Sequence, residues 1–121
     1  MLTFICYPKC STCQKAKKWL EENHVEFELR DIKTERPNVD ELTLWHQRSG
    51  VPLRKFFNTS GLLYKSMELK TKLPTMSEGD MLELLASDGM LVRRPLLVGE
   101  EFVLVGFKEA EWAKKLLPTE A

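Results

Sequence analysis

Residues 2–32 read "LTFICYPKCSTCQKAKKWLEENHVEFELRDI", and this stretch decides which fold the sequence predicts. It begins with a short apolar run, residues 2–6, which is typical of a buried strand. An amphipathic helical pattern follows, and Ser11 with Gln14 three residues later predicts a capping box at its start. The stretch ends at residues 25–32 in an alternation of apolar and charged residues, which is typical of a half-buried strand. We therefore predict a β-α-β unit.

The remainder of the chain predicts a helical middle and a second, β-rich segment. Asn38 and Ser77 each precede an apolar-periodic segment and predict helices in an insertion at about residues 38–90. "RPLLVGEEFVLVG", residues 94–106, predicts two short strands in a hairpin, and "EAEWAKKLL" predicts a last helix. The order β-α-β, helical insertion, β-β-α predicts an α/β protein with the thioredoxin-like fold. We expect a single domain over residues 1–121 with a four-stranded mixed sheet.

Composition and charge narrow the classes of partner. The chain has 121 residues, of which 43% are apolar, and its 18 basic residues balance its 18 acidic ones. Because the charges balance, the chain has no excess of positive charge that would attract nucleic acid, and we expect no direct nucleic-acid partner. No stretch approaches the roughly 18 apolar residues of a membrane span, and the first residues do not resemble a signal peptide. We therefore expect no membrane partner and a cytoplasmic location.

The three cysteines are the first candidates for chemistry. An odd number argues against a framework of structural disulfides. Cys10 and Cys13 form a Cys-x-x-Cys motif, which in a reducing compartment is more often catalytic or metal-binding than structural. Zinc and a chance pairing without redox chemistry are the alternatives, but a zinc site usually needs four ligands, and His24 and His46 lack ligand spacing. We expect no metal, and we interpret Cys6 as a small buried hydrophobe in the first strand.

The position of Cys10 favours nucleophilic chemistry. A cysteine at a helix N-terminus meets the positive end of the helix dipole and several unpaired backbone N–H groups. Both features favour the thiolate, which is the nucleophile in disulfide exchange. We predict that Cys10 attacks and that Cys13, one helical turn further on, resolves. The two would then alternate between free thiols and a redox-active disulfide.

"LVRRPLLV", residues 91–98, is the second stretch that bears on function. A proline at the mouth of a strand, facing the cysteine turn, is a candidate for a cis peptide bond. In thioredoxin-like sites this proline, here Pro95, shapes the substrate groove beside the cysteines. Arg94 precedes it and is predicted to meet the Cys10 thiolate or a bound oxyanion. We interpret Arg93 as a solvated surface charge.

Four segments carry a resemblance to a known family, and they occur in matching order along the chain. Together the sequence resembles the arsenate reductase (ArsC) family, in the branch that includes the regulator Spx. The resemblance covers essentially the whole chain and implies a thioredoxin-like fold, a catalytic cysteine at Cys10 and a cis proline at Pro95. The segments are "PKCSTCQKAKKWLEE", "GVPLRKFFNTSG", "LLASDGMLVRRPLLV" and "VGFKEAEW".

Departures from the family pattern shape the predicted activity. Glutaredoxin-coupled arsenate reductases hold the oxyanion with three arginines; Arg94 matches one, Asn58 stands at the second, and residues 104–106 contain none. Cys13 also adds a cysteine that those reductases typically lack. Both departures favour a glutaredoxin-like thiol-disulfide oxidoreductase that acts on a thiol, a disulfide or a small oxyanion. We expect no bound cofactor and a glutathione or thioredoxin-type reductant, with genuine arsenate reduction as a further alternative.

The regulator branch gives the main alternative function. The resemblance to Spx implies a Cys-x-x-Cys redox switch and binding to the C-terminal domain of the RNA polymerase α subunit. The sequence shares Arg94, Pro95 and Gly106 with that branch, and Gly50 or Gly61 is expected to contribute to the polymerase-binding surface. The stretch at the end of the predicted last helix, "LLPTEA", is shorter than the tail of those regulators, and we expect this difference to count against the alternative.

Overall fold

The computed structural model describes residues 1–117; the last four residues, "PTEA", lie outside the described residues. Its strands are β1 (Leu2–Cys6), β2 (Phe27–Asp31), β3 (Leu96–Val98) and β4 (Val103–Val105). They form a mixed sheet in the order β2-β1-β3-β4. β1 pairs in parallel with β2 and antiparallel with β3, and β3 pairs antiparallel with β4. This arrangement confirms the predicted α/β, thioredoxin-like fold.

Six α-helices occur in the described part of the chain. Four of them, with short 3-10 turns, lie between β2 and β3, where the helical middle was predicted. Within residues 1–117, no helix has both the length and the apolar character that a membrane crossing requires. The helices are α1 (Ser11–Glu22), α2 (Val39–Ser49), α3 (Leu62–Ser66), α4 (Leu69–Lys72), α5 (Glu78–Ser87) and α6 (Glu109–Leu116).

Two helices of the insertion begin at the predicted capping residues. The Asn38 side chain accepts a hydrogen bond of 2.8 Å from the Glu41 backbone N–H, and the Glu41 carboxylate accepts one of 3.2 Å from the Asn38 N–H. Ser77 caps α5 by accepting a hydrogen bond of 3.1 Å from the Asp80 N–H. α2 ends at Gly50, whose φ of 69° lies in the left-handed region that glycine favours. These boundaries confirm the sequence prediction.

The predicted capping box of Ser11 and Gln14 is wrong. α1 begins at Ser11, so the capping residue is Cys10, whose carbonyl accepts a hydrogen bond of 3.1 Å from the Gln14 N–H. The Gln14 side chain instead reaches back and donates to the Pro8 carbonyl across 2.8 Å. The helix starts one residue earlier than the box requires, which places the Ser11 hydroxyl inside the first turn. Among the described residues, the Cys10 side chain makes no capping hydrogen bond, so a sulfur occupies the position that normally holds an oxygen.

The sheet separates two clusters of buried side chains. Successive residues of β1 point to opposite faces, so Ile5 joins the cluster beneath the insertion, while Phe4 and Cys6 join the cluster beneath α1 and α6. Trp112 of α6 is fully buried in the second cluster and donates its indole N–H to the Gly106 carbonyl across 3.0 Å. The Cys-x-x-Cys turn therefore rests on the second core.

The predicted burial of alternate residues in β2 holds only in part. Phe27 meets Phe4 edge to face with the ring centres 5.4 Å apart. Leu29, on the same predicted face, is 54% exposed. β2 is an edge strand of the sheet, and Leu29 lies opposite Phe4 in its pairing with β1.

An ion pair connects β2 to the start of α2. Arg30 and Glu41 form two hydrogen bonds, with Nη1 to Oε2 at 2.6 Å and Nη2 to Oε1 at 2.9 Å. The hydrogen bond from Arg30 lowers the pKa of the Glu41 carboxyl, while partial burial opposes the shift. Bidentate pairing of this kind fixes the orientation of both groups. It therefore positions the beginning of the helical insertion against the sheet.

Candidate functional site

Cys10 lies at the junction of β1 and α1. Its backbone N–H donates to the Tyr7 carbonyl across 2.9 Å, which closes the turn that leaves the strand. Cys10 has extended backbone angles, φ −90° and ψ 121°, and its side chain is half-buried. The structure thus places this thiol at the helix N-terminus, as the sequence predicted, where unpaired N–H groups and the helix dipole favour negative charge.

The pocket beside Cys10 is built by the cysteine turn, the helical insertion and the segment before β3. Its volume is about 580 Å³. Cys10 and Arg94 both line it, so the two residues that sequence analysis had linked come together here. The insertion forms the opposite wall, which explains how a mainly helical segment contributes to a site on the sheet. The remaining lining residues are Thr12, Asn58, Ser60, Gly61, Leu62, Leu63 and Met90.

Arg94 is held by the backbone and by an aromatic ring. Its Nη1 donates to the carbonyls of Met90 and Val92, each at 3.3 Å. Its guanidinium carbon lies 5.4 Å from the centre of the Tyr7 ring, within the range of a cation-π contact. The Nε atom is buried and has no hydrogen-bond partner among residues 1–117. Buried donors are normally paired, so this covered and unpaired N–H is an exception.

The proline that follows Arg94 has the expected geometry but does not line the pocket. The Arg94–Pro95 peptide bond is cis, as the resemblance implied. Pro95 itself is buried, and its carbonyl accepts a hydrogen bond of 2.9 Å from the Gly106 N–H. Arg93 points elsewhere, because its guanidinium lies over Gly106 and a Cβ built there would come within 2.8 Å of the Arg93 Nε. Arg93 thus lies outside the Cys10 pocket.

Cys13 lies behind Cys10, and only 1% of its surface is exposed. The Tyr7 backbone N–H donates a hydrogen bond to its sulfur across 3.4 Å. The pKa of Cys13 is raised, first by a hydrogen bond with the Cys6 thiol and then by burial, while donors at Tyr7 and Cys10 oppose the shift. Cys13 is therefore a protected, protonated thiol next to the half-exposed one.

Cys6 does more than fill space in the strand. It is 6% exposed, as expected of a buried hydrophobe, but its side chain lies beside Cys13. The pKa of Cys6 is lowered chiefly by the hydrogen bond that the Cys13 thiol donates; burial opposes this shift and Lys17 adds to it. Sequence analysis missed this contact. Its signal was the position of Cys6, which is the last residue of the strand that leads into the Cys-x-x-Cys turn.

Two of the three arginines of arsenate reductases are absent where the resemblance placed them. Asn58 lines the Cys10 pocket, and Arg94 is the one cationic side chain among the described residues that do so. Gly61 also lines this pocket, close against the Asn58 side chain, whereas Gly50 lies at the end of α2. In residues 1–117, no group of three or more His, Cys, Asp or Glu side chains has a metal-binding arrangement.

Comparisons with known proteins agree with this fold. The chain is 54% identical to the uncharacterized protein YusI of Bacillus subtilis, over 92% of this chain and 94% of that protein. It is 30% identical to the global transcriptional regulator Spx of Enterococcus faecalis, over 98% of this chain and 87% of that regulator. A crystal structure of an ArsC family related protein from Bacteroides fragilis superposes with a TM-score of 0.92 at 57% identity, over 93% and 95% of the two chains. The model of the ArsC family matches residues 6–115, and the chain therefore belongs to that family.

Proposed function

We propose that this protein catalyses glutaredoxin-like thiol-disulfide exchange, with Cys10 as the nucleophile and Cys13 as the resolving thiol. One observation carries the proposal. Cys10 opens, together with Arg94, into a pocket of about 580 Å³, while Cys13 is buried directly behind it. A nucleophile needs access to its substrate, and a resolving thiol needs proximity to the nucleophile and protection from the substrate. The two cysteines meet these requirements separately.

The first step is attack of the Cys10 thiolate on one sulfur of a disulfide substrate. A bond forms between Cys10 Sγ and that sulfur, and the substrate's other sulfur leaves as a thiolate with the electron pair. Arg94 lines the pocket, and its guanidinium charge stabilises negative charge there. The helix N-terminus favours the same charge. The product of this step is a mixed disulfide on Cys10.

Cys13 then releases the substrate. Its sulfur attacks Cys10 Sγ and forms the Cys10–Cys13 disulfide, and the departing substrate thiolate takes up the proton that Cys13 gives up. Two electrons have moved from the cysteine pair to the substrate. A thiol reductant of the cytoplasm, either glutathione or a thioredoxin-type protein, restores both thiols by the reverse exchange. Pro95 is buried outside the Cys10 pocket, so the predicted role of Pro95 in the substrate groove is not part of this proposal.

Steady-state reduction of a small disulfide by glutathione tests this proposal. Cys10→Ser should abolish turnover, because the hydroxyl cannot replace the thiolate. The matched control is Ser11→Ala, which changes the neighbouring exposed residue of the same turn and should keep turnover within about twofold. Turnover that survives in folded Cys10→Ser would overturn the proposal.

A second candidate function is redox-responsive regulation, favoured by the similarity to Spx over 98% of the chain. In this case the same cysteine pair would act as a switch, and the partner would be the RNA polymerase α subunit. Affinity capture from the native lysate with Cys13→Ser distinguishes the two functions, because this variant cannot resolve mixed disulfides. Proteins held through Cys10 and released by a reductant support the oxidoreductase. Polymerase recovered without a covalent bond supports the regulator.

A further inference from the structure

We propose that Cys6 is a second exchange partner for Cys13, an inference that rests on the proposed Cys10–Cys13 chemistry. The disulfide formed between Cys10 and Cys13 would be exchanged for a disulfide between Cys6 and Cys13, which lie deeper in the protein. The three cysteines would then form a thiol relay with Cys13 at its centre. Cys10 would be returned to its free form while the protein remained oxidised.

The fold brings the two inner cysteines together from different elements. Cys6 is the last residue of β1, and Cys13 lies in the first turn of α1. Both side chains belong to the same buried cluster between the sheet and α1. The backbone N–H that directly follows Cys6, that of Tyr7, lies 3.4 Å from the Cys13 sulfur. Cys13 thus contacts the chain segment that carries Cys6.

Cys6 and Cys13 also line a pocket of their own. Its volume is about 280 Å³, and it has no lining residue in common with the Cys10 pocket. Lys17 and Leu29 form part of its wall, and the exposure of Leu29 leaves this side of the edge strand uncovered. The inner pair therefore lies at a pocket that is separate from the substrate pocket, and both cysteines are almost fully covered there, Cys6 being 6% and Cys13 1% exposed.

The direction of the exchange follows from the placement of the three cysteines. Cys6 belongs to the same buried cluster as Cys13 and lines the same pocket, but it does not line the Cys10 pocket. Within a Cys10–Cys13 disulfide, Cys13 is therefore the sulfur next to Cys6. Lys17 lines the pocket of Cys6 and Cys13, and its charge favours a thiolate at Cys6, while burial and Asp31 oppose it. Cys6 is consequently the attacking group and Cys13 the sulfur attacked.

The exchange step is balanced within the protein. The Cys6 thiolate attacks Cys13 Sγ of the Cys10–Cys13 disulfide, the Cys6–Cys13 bond forms, and the Cys10–Cys13 bond breaks. The electron pair leaves with Cys10 as its thiolate, and no net oxidation or reduction occurs. The original oxidant is the disulfide substrate already consumed at Cys10. A second substrate molecule can then be attacked before any reductant arrives.

Tryptic mapping distinguishes the two disulfides directly. Cleavage after Lys9 and Lys15 separates "MLTFICYPK", which holds Cys6, from "CSTCQK", which holds Cys10 and Cys13. A Cys10–Cys13 disulfide stays inside the second peptide, whereas a Cys6–Cys13 disulfide joins the two peptides. The full-length protein is oxidised with oxidised glutathione, quenched in acid, alkylated in denaturant and digested. Peptide masses then follow both species over time.

We expect the internal disulfide first and the linked peptides later, with Cys10 as the alkylated residue of the linked pair. Cys6→Ser and Cys6→Ala should both lose the linked peptides and keep the internal disulfide. Cys13→Ser should lose both intramolecular disulfides. In oxidised wild-type protein, iodoacetamide should modify a growing fraction of Cys10, whereas in the oxidised Cys6 variants Cys10 should stay protected.

The outcomes separate this inference from the proposed function. Wild-type protein that forms only the internal disulfide, with Cys6 fully alkylated, would overturn the relay and leave the proposed function standing. Linked peptides that persist in Cys13→Ser would mean that Cys6 pairs with Cys10, which also overturns it. Absence of the internal disulfide at all times would instead contradict the proposed function.

Discussion

The backbone N–H of Tyr7 donates a hydrogen bond to the Cys13 sulfur across 3.4 Å. The carbonyl of the same residue accepts a hydrogen bond of 2.9 Å from the Cys10 N–H. The backbone of one residue therefore positions both cysteines of the motif, one buried and one half-exposed. This asymmetry is the basis for assigning different roles to the two thiols.

The order in which the three thiols react should follow from the difference in burial between Cys10 and the other two cysteines. We expect iodoacetamide to modify Cys10 of the reduced, native protein before either of the other cysteines, because Cys13 is 1% exposed and Cys6 is 6% exposed. Peptide mapping after short reaction times measures the order. In denaturant the difference should disappear, which serves as the control. First modification of Cys6 or Cys13 would show that the nucleophile has been misassigned.

Removal of Arg94 should slow the reaction of Cys10 at neutral pH. The residue lines the same pocket, so Arg94→Ala removes positive charge from the surroundings of Cys10. Because the site is partly exposed, we expect a decrease of about fivefold in the alkylation rate, which corresponds to about 1 kcal/mol. The rate of iodoacetamide modification of Cys10 provides the measurement.

Arg93→Ala is the matched control for this variant. It removes the same charge from the adjacent residue, but the Arg93 side chain lies over Gly106, outside the Cys10 pocket. The Cys10 rate should therefore change little. If Arg93→Ala slows the reaction and Arg94→Ala does not, the wrong arginine has been assigned. Equal rates in all three proteins would mean that the helix terminus alone activates the thiol.

Arsenate should be a poor substrate. Arg94 is the one cation among the described residues that line the Cys10 pocket, and Asn58 occupies the position of a second arginine. Each missing charge-assisted hydrogen bond costs about 1.5–3 kcal/mol of binding. In an assay with glutathione and glutaredoxin, we expect little arsenate turnover by protein that reduces a small disulfide. Efficient, saturable arsenate turnover would contradict this prediction.

The Arg30–Glu41 pair should give the stability a defined pH dependence. The pKa of Glu41 is lowered in the folded protein, so the pair stabilises above the unfolded pKa of about 4.3, and this contribution is lost as the pH falls through the folded pKa. Glu41→Gln keeps the capping acceptor but removes the charge, and should cost about 1 kcal/mol at pH 7 because the pair is partly exposed.

Urea denaturation of both proteins between pH 7 and pH 2.5 measures this difference. It should shrink toward zero at the acid end, where the wild-type carboxyl is also protonated. Glu28→Gln, an exposed change of the same chemistry on β2, should alter the free energy of unfolding by less than about 0.5 kcal/mol. A Glu41→Gln cost that persists unchanged at pH 2.5 would show that the ion pair is not its source.

The sequence predicted most of the fold because local patterns and tertiary contacts agree. The apolar run before the cysteines became β1, and Asn38 and Ser77 cap helices as their positions indicated. The cysteine turn was placed correctly because a strand followed by an amphipathic helix requires it. That Arg94 would lie near Cys10 was predicted from the fold, in which the proline that follows Arg94 faces the cysteine turn, since no local pattern connects residues so distant in sequence.

What the sequence could not predict depends on contacts between elements. Leu29 follows the alternation of a half-buried strand, but its exposure reflects the edge position of β2. The prediction of a capping box at Ser11 and Gln14 was wrong because the turn at Cys10, and not Ser11, determines where α1 begins. The Cys6–Cys13 contact requires knowing which face of β1 meets α1, and strand periodicity alone does not give that face.

The roles of Cys10 as nucleophile and Cys13 as resolving thiol are tested most directly by following a mixed disulfide with glutathione over time. Intact mass and peptide mapping provide the measurement. Oxidised glutathione is added to reduced wild-type protein and to Cys13→Ser. If Cys10 attacks and Cys13 resolves, the adduct should accumulate on Cys10 in Cys13→Ser and be only transient in the wild type, where an intramolecular disulfide replaces it. An adduct that persists equally in both proteins, or that forms on Cys6, would contradict the account.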